Sequence, residues 1–413
     1  MARKHGVLVD AYSTGNYLPP AFARLGVDLA HLQSTPELMP SMLPPARESF
    51  TEFLVDGATT EVDLKERAPL FVLAGQEAGV PLADSLSEAL GLRTNGSALS
   101  PARRDKQLMI DAVRAAGLRT ADQLRTTDVE AAIAWADASG HWPCVAKPLA
   151  SASTDGVFIC RGPEDLRRAF PAILGARDIF DNANTDVLVQ SFLEGTEYIV
   201  DTVSVDGAAY VCGVWRYEKR LLENGKPIYN RDILVAETDP VVPMLAAYTR
   251  AVLAALGVRN GPAHSEVIVG PRGPAIVEVG ARLNGNMHPE FHQRCLGHDQ
   301  AELTALAYVK PKKFLSRFAD GCYQRRKHAT VYNAPTSHDG TVVRVNEMIV
   351  DAIRDCPSVV DLTVKRKAGD RIVPTRDLLT SPLRVFMTAD EGTLEADYRF
   401  IESVRESVFE VES

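Results

Sequence analysis

The sequence predicts an α/β (α+β) protein of two or three domains. Strand-loop-helix units open the chain, an alternating hairpin lies further along, and 413 residues exceed what one compact domain usually holds. Gly6 to Asp10 reads as a buried strand, YSTGNYLPP as a loop, Ala21 to Leu25 as a short helix and Val27 to Leu32 as a second strand, the opening of a βαβ unit. The apolar run Leu70 to Ala74, then GQEAGV and the helix PLADSLSEALGL, repeats the pattern. Open parallel sheets bind ligands at the carboxyl ends of their strands, so Ser13, Thr14, Gly15 and Glu77 are candidate substrate-facing residues. Turn residues and a helix-side glutamate are the plainer reading. No GxGxxG follows the first strand, which argues against a dinucleotide-binding domain.

The composition, 46% hydrophobic and 24% charged, is that of an ordinary soluble protein, and a net charge of -9 argues against nucleic acid as the main partner. The apolar run after the basic start MARKHGVLVDAYS is too short for a signal peptide, and no stretch approaches the roughly 20 apolar residues of a membrane span. A cytoplasmic protein without a membrane partner is expected. Six cysteines without CxxC spacing indicate neither a zinc site nor a disulfide framework, and buried free thiols are expected.

Ser100-Pro101 reads as a helix start and Gly117 as its stop, with Asp105-Lys106 between them. A helix from Asp128 to Ser139 is followed by HWPCVAKPLASASTDGVFIC: a strand ending in Lys147-Pro148, a small-residue loop and a second strand. Small residues let backbone N–H groups approach phosphates, and a lysine on the adjoining strand adds a point charge. With one glycine, Gly156, beside Ser151, Ser153 and Thr154, the loop is a weak motif alone. VLVQSFLEGTEYIVDTVSV reads as two strands joined near Glu194-Gly195. After a strand from Ala208 to Val214, the aromatic and basic segment WRYEKRLLENGKPIYNRDILV is either a loop from which Lys219 or Arg220 reaches a phosphate, or a basic hairpin with Trp215 in the core. A helix from Val241 to Leu256 follows.

In HSEVIVGPRGPAIVEVGARLNGN, Val267 and Val269, then Ala275, Val277 and Val279, alternate as strands do, and Pro271-Arg272-Gly273 supplies a three-residue loop. A hairpin centred on Arg272 sets Glu266 opposite Glu278, with Cβ atoms about 4.5–5.5 Å apart. Like charges so placed need a divalent cation, an arginine or a shared proton, and Arg282 is nearby. A solvated sheet face with a surface Arg–Glu pair is the other reading. His288 and His292 stand four apart but lack an HExxH frame, so no zinc site is expected there. From about residue 320 short strands (HATVYNA, SVVDLTVKR, LRVFMTA) precede an amphipathic helix from Thr393 to Phe409, whose buried stripe is Tyr398, Ile401, Val404 and Val408.

Taken in order, Lys106, Lys147, Glu197, Glu266, Glu278 and Arg282 resemble the site residues of the ATP-grasp ligases, over roughly Gly6 to Ala307. The resemblance implies an ATP-grasp fold: an N-terminal parallel α/β domain (1–98), a central lid domain (99–205) and a C-terminal antiparallel-sheet domain (206–413) with a structural extension from about 320. Nucleotide would bind between the last two. It implies ATP and Mg2+ (Mn2+ able to replace it) as cofactors, with Glu266 and Glu278 as metal ligands and Arg282 as the catalytic cation. Lys106, Lys147 and Ser153 of the loop would contact phosphates, Gln190, Ser191, Phe192 and Leu193 would line adenine, and Glu197 would take the ribose hydroxyls. Many members carry asparagine where Gly280 stands, which leaves water or Asn284 to complete the metal shell, and glutamate where Gln190 or Ser191 stands.

The HSE triplet, the EVGAR turn and the C-terminal extension are most similar to the L-amino acid ligases, the dipeptide-forming branch that includes dapdiamide-synthetase-like proteins. That branch implies an acid–amino-acid ligase that joins small-molecule amino acids through an acyl phosphate, with Glu77, Lys219, His264, Asn284 and Asn286 as further substrate-facing candidates. Activation of a side-chain carboxylate to give a γ-glutamyl amide, transfer to a carrier-bound group, and a non-catalytic nucleotide sensor remain alternatives. Oligomeric state, a homodimer included, is open.

Overall fold

A computed structural model describes residues 4–40, 42–150, 156–178, 182–221 and 227–412. The chain forms two compact units: Met1–Cys212, Pro240–Met287 and Gln300–Tyr323 make the first, and Gly213–Asp239, His288–Asp299 and Gln324–Ser413 the second.

The first unit opens with a parallel sheet of β1 (Lys4–Val9), β2 (Val27–Gln33), β3 (Glu52–Val55) and β4 (Val72–Ala74), in the order β3-β2-β1-β4. From Gly6 onward β1 is buried, as is every β2 residue except Asp28, as expected of strands covered on both faces. The expected loop before the first helix is instead a short 3-10 turn, Ser13–Tyr17, running directly into the helix Leu18–Ala23. Pro19 and Pro20, read as loop residues, occupy the first turn of that helix, where a missing N–H costs nothing.

The next sheet is antiparallel: β5 (Gln123–Thr126), β6 (Cys144–Lys147), β7 (Phe158–Cys160) and β8 (Val187–Ser191), in the order β5-β8-β6-β7. The helices Val129–Ser139 and Pro163–Ile173 cover it through Ala132, Leu166 and Phe170. The chain then forms β9 (Thr196–Val205), β10 (Ala208–Leu221), β11 (Pro227–Leu234), β12 (Gly261–Gly270) and β13 (Gly273–Gly280). Within the first unit β12 pairs with both β9 and β13, antiparallel in each case.

The expected single helix after Ser100 is broken. Pro101–Arg103 forms a 3-10 turn, and a new helix runs from Lys106 to Ala115, because the Asp105 carboxylate accepts the N–H groups of Gln107 and Leu108 at 2.8 and 3.0 Å. The break is anchored below. Arg103, with a fully buried side chain, pairs with Asp84 at 2.8 Å and donates to the Leu256 carbonyl at 2.8 Å, and Ser100 donates to the same carboxylate at 2.7 Å. Burial pushes the Asp84 carboxyl up, against the pull of Arg103.

In the second unit the rest of β10 and β11 form a hairpin with Trp215 buried, which stacks on Phe291 at 5.7 Å. Of the two readings of that segment, the basic hairpin is the one observed. The unit continues with β14 (His328–Ala334), β15 (Gly340–Val345), β16 (Val359–Val364), β17 (Arg371–Ile372), β18 (Leu383–Ala389) and β19 (Phe409–Glu412). Its core is built on Tyr332, Val385, Met387 and Ile401. The last helix ends at Val404, short of the expected Phe409, since Arg405–Val408 tightens to a 3-10 turn and Phe409 starts β19. His288 accepts from the Phe291 N–H as a helix cap. All six cysteines are free; Cys144, Cys160, Cys212 and Cys295 are buried as expected, whereas Cys356 is half-buried and Cys322 exposed.

Arg103→Ala should cost about 3–5 kcal/mol of stability, because it strands a buried carboxylate. Denaturant unfolding followed by circular dichroism checks this; a loss below about 1 kcal/mol would show that Asp84 does not depend on Arg103.

Candidate functional site

The centre of the first unit is one face of β9, β12 and β13. Directly opposed residues in a ladder share a face, and the pairs here are His264 with Asp201, Glu266 with Ile199, and Ile268 with Glu197 on one side of β12. On the other side His264 faces Gly280 and Glu266 faces Glu278. Four carboxylates and an imidazole therefore converge on one surface.

The opposition of Glu266 and Glu278 arises differently from the simple count. The turn holds two residues, Pro271 and Arg272, because Gly270 already pairs with Gly273, whose φ is +89°. That shorter turn alone would slip the glutamates by one position. A bulge restores them: Val267 pairs with Ile276, so Val277 is the extra residue and Glu278 returns to face Glu266. Ala275 and Ile276 are accordingly the buried pair, and the expected alternation through Val277 is broken there.

Cations meet this acidic face. The Lys106 ammonium lies 3.0 Å from Glu278. Lys147, at the end of β6, is buried, and burial together with the charge of Lys106 pushes its ammonium down to about 8, while Glu278, Glu266 and Glu197 oppose the shift. Burial alone would raise the Glu266 carboxyl, yet His264, Lys106 and Arg282 hold it below the usual carboxylate range. His264 donates to Asp201 at 2.9 Å and faces Glu266 at 3.5 Å. Although burial disfavours its charge, those two carboxylates raise it to about 9, so it is an imidazolium at neutral pH.

Arg282 is held by Glu77. Its Nε and Nη2 lie 3.3 and 3.2 Å from one Glu77 oxygen, and Nη1 donates to the Leu283 carbonyl at 2.8 Å. The other Glu77 oxygen pairs with Arg104 at 2.7 Å. Burial would raise the Glu77 carboxyl, but Arg282, Arg104 and Lys106 together depress it. Gly280 packs beneath this arrangement: a Cβ there would sit 3.3 Å from the Cζ and Nε atoms of Arg282. An asparagine at this position would press on the guanidinium that Glu77 holds.

Asn284 is held by protein groups. Its amide donates to Asp201 at 2.8 Å and its oxygen accepts the Asn286 N–H at 2.7 Å, so both ends are engaged by protein groups. The linker side chains are engaged as well. Gln190 donates to Gln123 at 3.1 Å, Ser191 Oγ accepts the Asp122 N–H at 2.9 Å, and the Ser191 N–H donates to the Asp122 carbonyl. Phe192, which is exposed, and Leu193 lie beyond the end of the ladder. Glu197 is buried on the same face as Glu266.

Thr14 and Gly15 are buried, and a Cβ on Gly15 would lie 2.7 Å from the Gly75 carbonyl, so this turn packs against the strand-end loop. Lys219 and Arg220 belong to the second unit, where Lys219 lies 4.9 Å from the Tyr229 ring and Arg220 pairs with Glu402. Ser153 and its neighbours Ser151 to Asp155 lie outside the described residues. Two residues of the site escaped the sequence reading. Asp201 carried a usable signal, the one charge inside the strand-like run YIVDTVSV, and Arg104 stands beside the Asp105-Lys106 pair.

Among the described residues no three His, Cys, Asp or Glu side chains form a closed metal cage. Two opposed carboxylates are an all-oxygen donor set that suits Mg2+, a hard cation that takes one or two carboxylates and completes its octahedron with water and phosphate oxygens. The same described residues contain no helix long and apolar enough to cross a membrane.

A family description, ATP-grasp domain, matches residues 141–290. Over 396 residues the chain is 34% identical to dapdiamide A synthase of Enterobacter agglomerans, covering 94% of this chain and 92% of that protein. It is 28% identical to the alanine–anticapsin ligase of Bacillus subtilis (strain 168), over 52% of this chain and 49% of that protein. Among solved structures, the L-amino acid ligase from Bacillus licheniformis superposes with a TM-score of 0.73 at 17% identity, covering 100% of this chain and 99% of that one. An ADP complex of N5-carboxyaminoimidazole ribonucleotide synthetase superposes at 0.70 and 15% identity, covering 98% of each chain. With the opposed glutamates, the cations that face them and this likeness along nearly the whole chain, the protein belongs to the ATP-grasp family of ATP-dependent ligases, on the branch of the L-amino acid ligases and dapdiamide A synthase.

Proposed function

We propose that this ligase joins the carboxylate of one small amino acid to the amine of another through an acyl phosphate, with release of ADP and phosphate. The observation that carries the reading is the register of Glu266 opposite Glu278 with Lys106 at 3.0 Å, an arrangement that would hold and neutralise a polyphosphate with its cation. The substrate class is supported by the names of the relatives, dapdiamide A synthase and alanine–anticapsin ligase.

A carboxylate in water is a poor electrophile, so an amine does not displace its oxygen. In the proposed first step a substrate carboxylate oxygen attacks the γ-phosphorus of ATP, the bond to the ADP oxygen breaks, and the acyl phosphate forms. In the second step the amine attacks the acyl carbon, loses a proton, and expels phosphate. Mg2+, held by Glu266 and Glu278, would supply charge neutralisation at the phosphates. Lys106 and Lys147 would bind phosphate oxygens, and Arg282, aimed by Glu77, would stabilise the negative charge that develops on the acyl oxygen. Phe192 and Leu193 would offer their backbone to the adenine edge, and Glu197 would accept the ribose hydroxyls. Arg104, which shares Glu77 with Arg282, would bind a substrate carboxylate.

Glu278→Gln should reduce Mg2+-dependent ADP formation at least about 100-fold while leaving the circular dichroism spectrum unchanged. Turnover like that of the wild type would remove Glu278 from the metal site. ADP release, followed by a pyruvate kinase coupled assay over a panel of amino acids, should require both an acid and an amine, with hydroxylamine able to replace the amine and trap a hydroxamate. Rapid ADP release with the acid alone would point to an acyl-phosphate kinase.

A further inference from the structure

On the face that carries Glu266, one carboxylate has no place in the chemistry above. Asp201 is 3% exposed, lies in β9 directly opposite His264, and divides its two oxygens between two tasks. One oxygen accepts from His264 Nδ1 at 2.9 Å, and the other Nε2 edge of that ring faces a Glu266 oxygen at 3.5 Å. The second Asp201 oxygen accepts the Asn284 amide at 2.8 Å. Asn284 is itself fixed, because its N–H donates to the Gln300 side chain at 2.8 Å, and Gln300 in turn donates to the carbonyls of Thr202 and Ala263 at 3.1 Å each. His264, Asn284 and Gln300 are all buried. Across the ladder His264 faces Gly280, which has no side chain to share the support of the ring.

We propose that Asp201 is a positioning residue for the metal site. Through His264 it sets the orientation in which Glu266 presents its carboxylate, and through Asn284 it ties that orientation to the segment that follows Arg282. The proposal rests on the reading of Glu266 and Glu278 as the cation site. Second partners of this kind change metal affinity by about 10-fold or more when removed, although they touch neither metal nor substrate.

The pairing of donors and acceptors provides the test. Asp201→Asn keeps one acceptor oxygen where Asp201 has two, so it loses its bond either to His264 or to Asn284; the reciprocal double variant Asp201→Asn with Asn284→Asp restores both, the new amide donating to the new carboxylate and leaving its oxygen for His264. Mn2+ binding to the protein with ADP present, followed by electron paramagnetic resonance, needs no turnover. Asp201→Asn should weaken Mn2+ binding about 10-fold and raise the Mg2+ concentration for half-maximal rate in parallel. The KM for ATP at saturating Mg2+ should move less than about 3-fold, and the double variant should recover most of the loss. Unchanged Mn2+ binding in Asp201→Asn, or a loss that the double variant does not recover, overturns the proposal. If the single variant does not fold, His264→Gln should show the same weakened Mn2+ binding, and its failure to do so is equally decisive. Glu266→Gln separates the two claims: should it bind Mn2+ as the wild type does, the cation-site reading itself fails, whatever Asp201 does.

Discussion

Two carboxylates set face to face on neighbouring strands are the constraint that the rest of this site answers. At about 5 Å and an effective dielectric of about 20, their repulsion is about 3 kcal/mol, too much for a fold to keep without compensation. The compensation is layered. Lys106, Lys147 and Arg282 act on the pair directly, and Glu77 then holds Arg282 while Arg104 balances Glu77. His264 and Asp201 repeat the alternation on the other side of Glu266. Opposite charges therefore alternate outward from the glutamates, and each depends on the one before it.

Much of this was legible in the sequence, for reasons that can be stated residue by residue. Glu266 and Glu278 could be paired by counting because strand periodicity is two. The count succeeded only because a turn one residue shorter than expected is offset by the bulge at Val277. The parallel opening sheet and the antiparallel hairpin followed from apolar runs and alternation. The helix start was misplaced because Ser100-Pro101 is a good signal in itself, but Asp105 caps a second start closer to Lys106. For Asp201 and Arg104 the partners lie far along the chain, His264 for one and Glu77 for the other, so even the lone charge that marks Asp201 in its strand does not say what it pairs with. In the basic segment around Lys219 the sequence left a loop and a hairpin open, and there Lys219 lies over the Tyr229 ring and Arg220 pairs with Glu402 in the second unit.

Gly280 joins sequence, packing and chemistry. As a sequence feature it is a departure from the asparagine found in many ATP-grasp proteins. In the structure the space that side chain would need lies against the Arg282 guanidinium. In the proposed cation site the absence of that amide goes with the placement of a basic residue against Glu77, and Asn284 is bound instead by Asp201 and Asn286. On the proposed reading, two carboxylates, phosphate oxygens and water would make up the donor set, an arrangement that Mg2+ accepts readily.

The most direct measurement of the central claim is a crystal structure of the protein with Mg2+ and a non-hydrolysable ATP analogue. The account predicts a cation bridging the Glu266 and Glu278 carboxylates to the β- and γ-phosphates, with the Lys106 ammonium on a phosphate oxygen. A nucleotide bound with its phosphates away from β12 and β13, or glutamates still occupied only by Lys106 and His264 with the cation elsewhere, would contradict it.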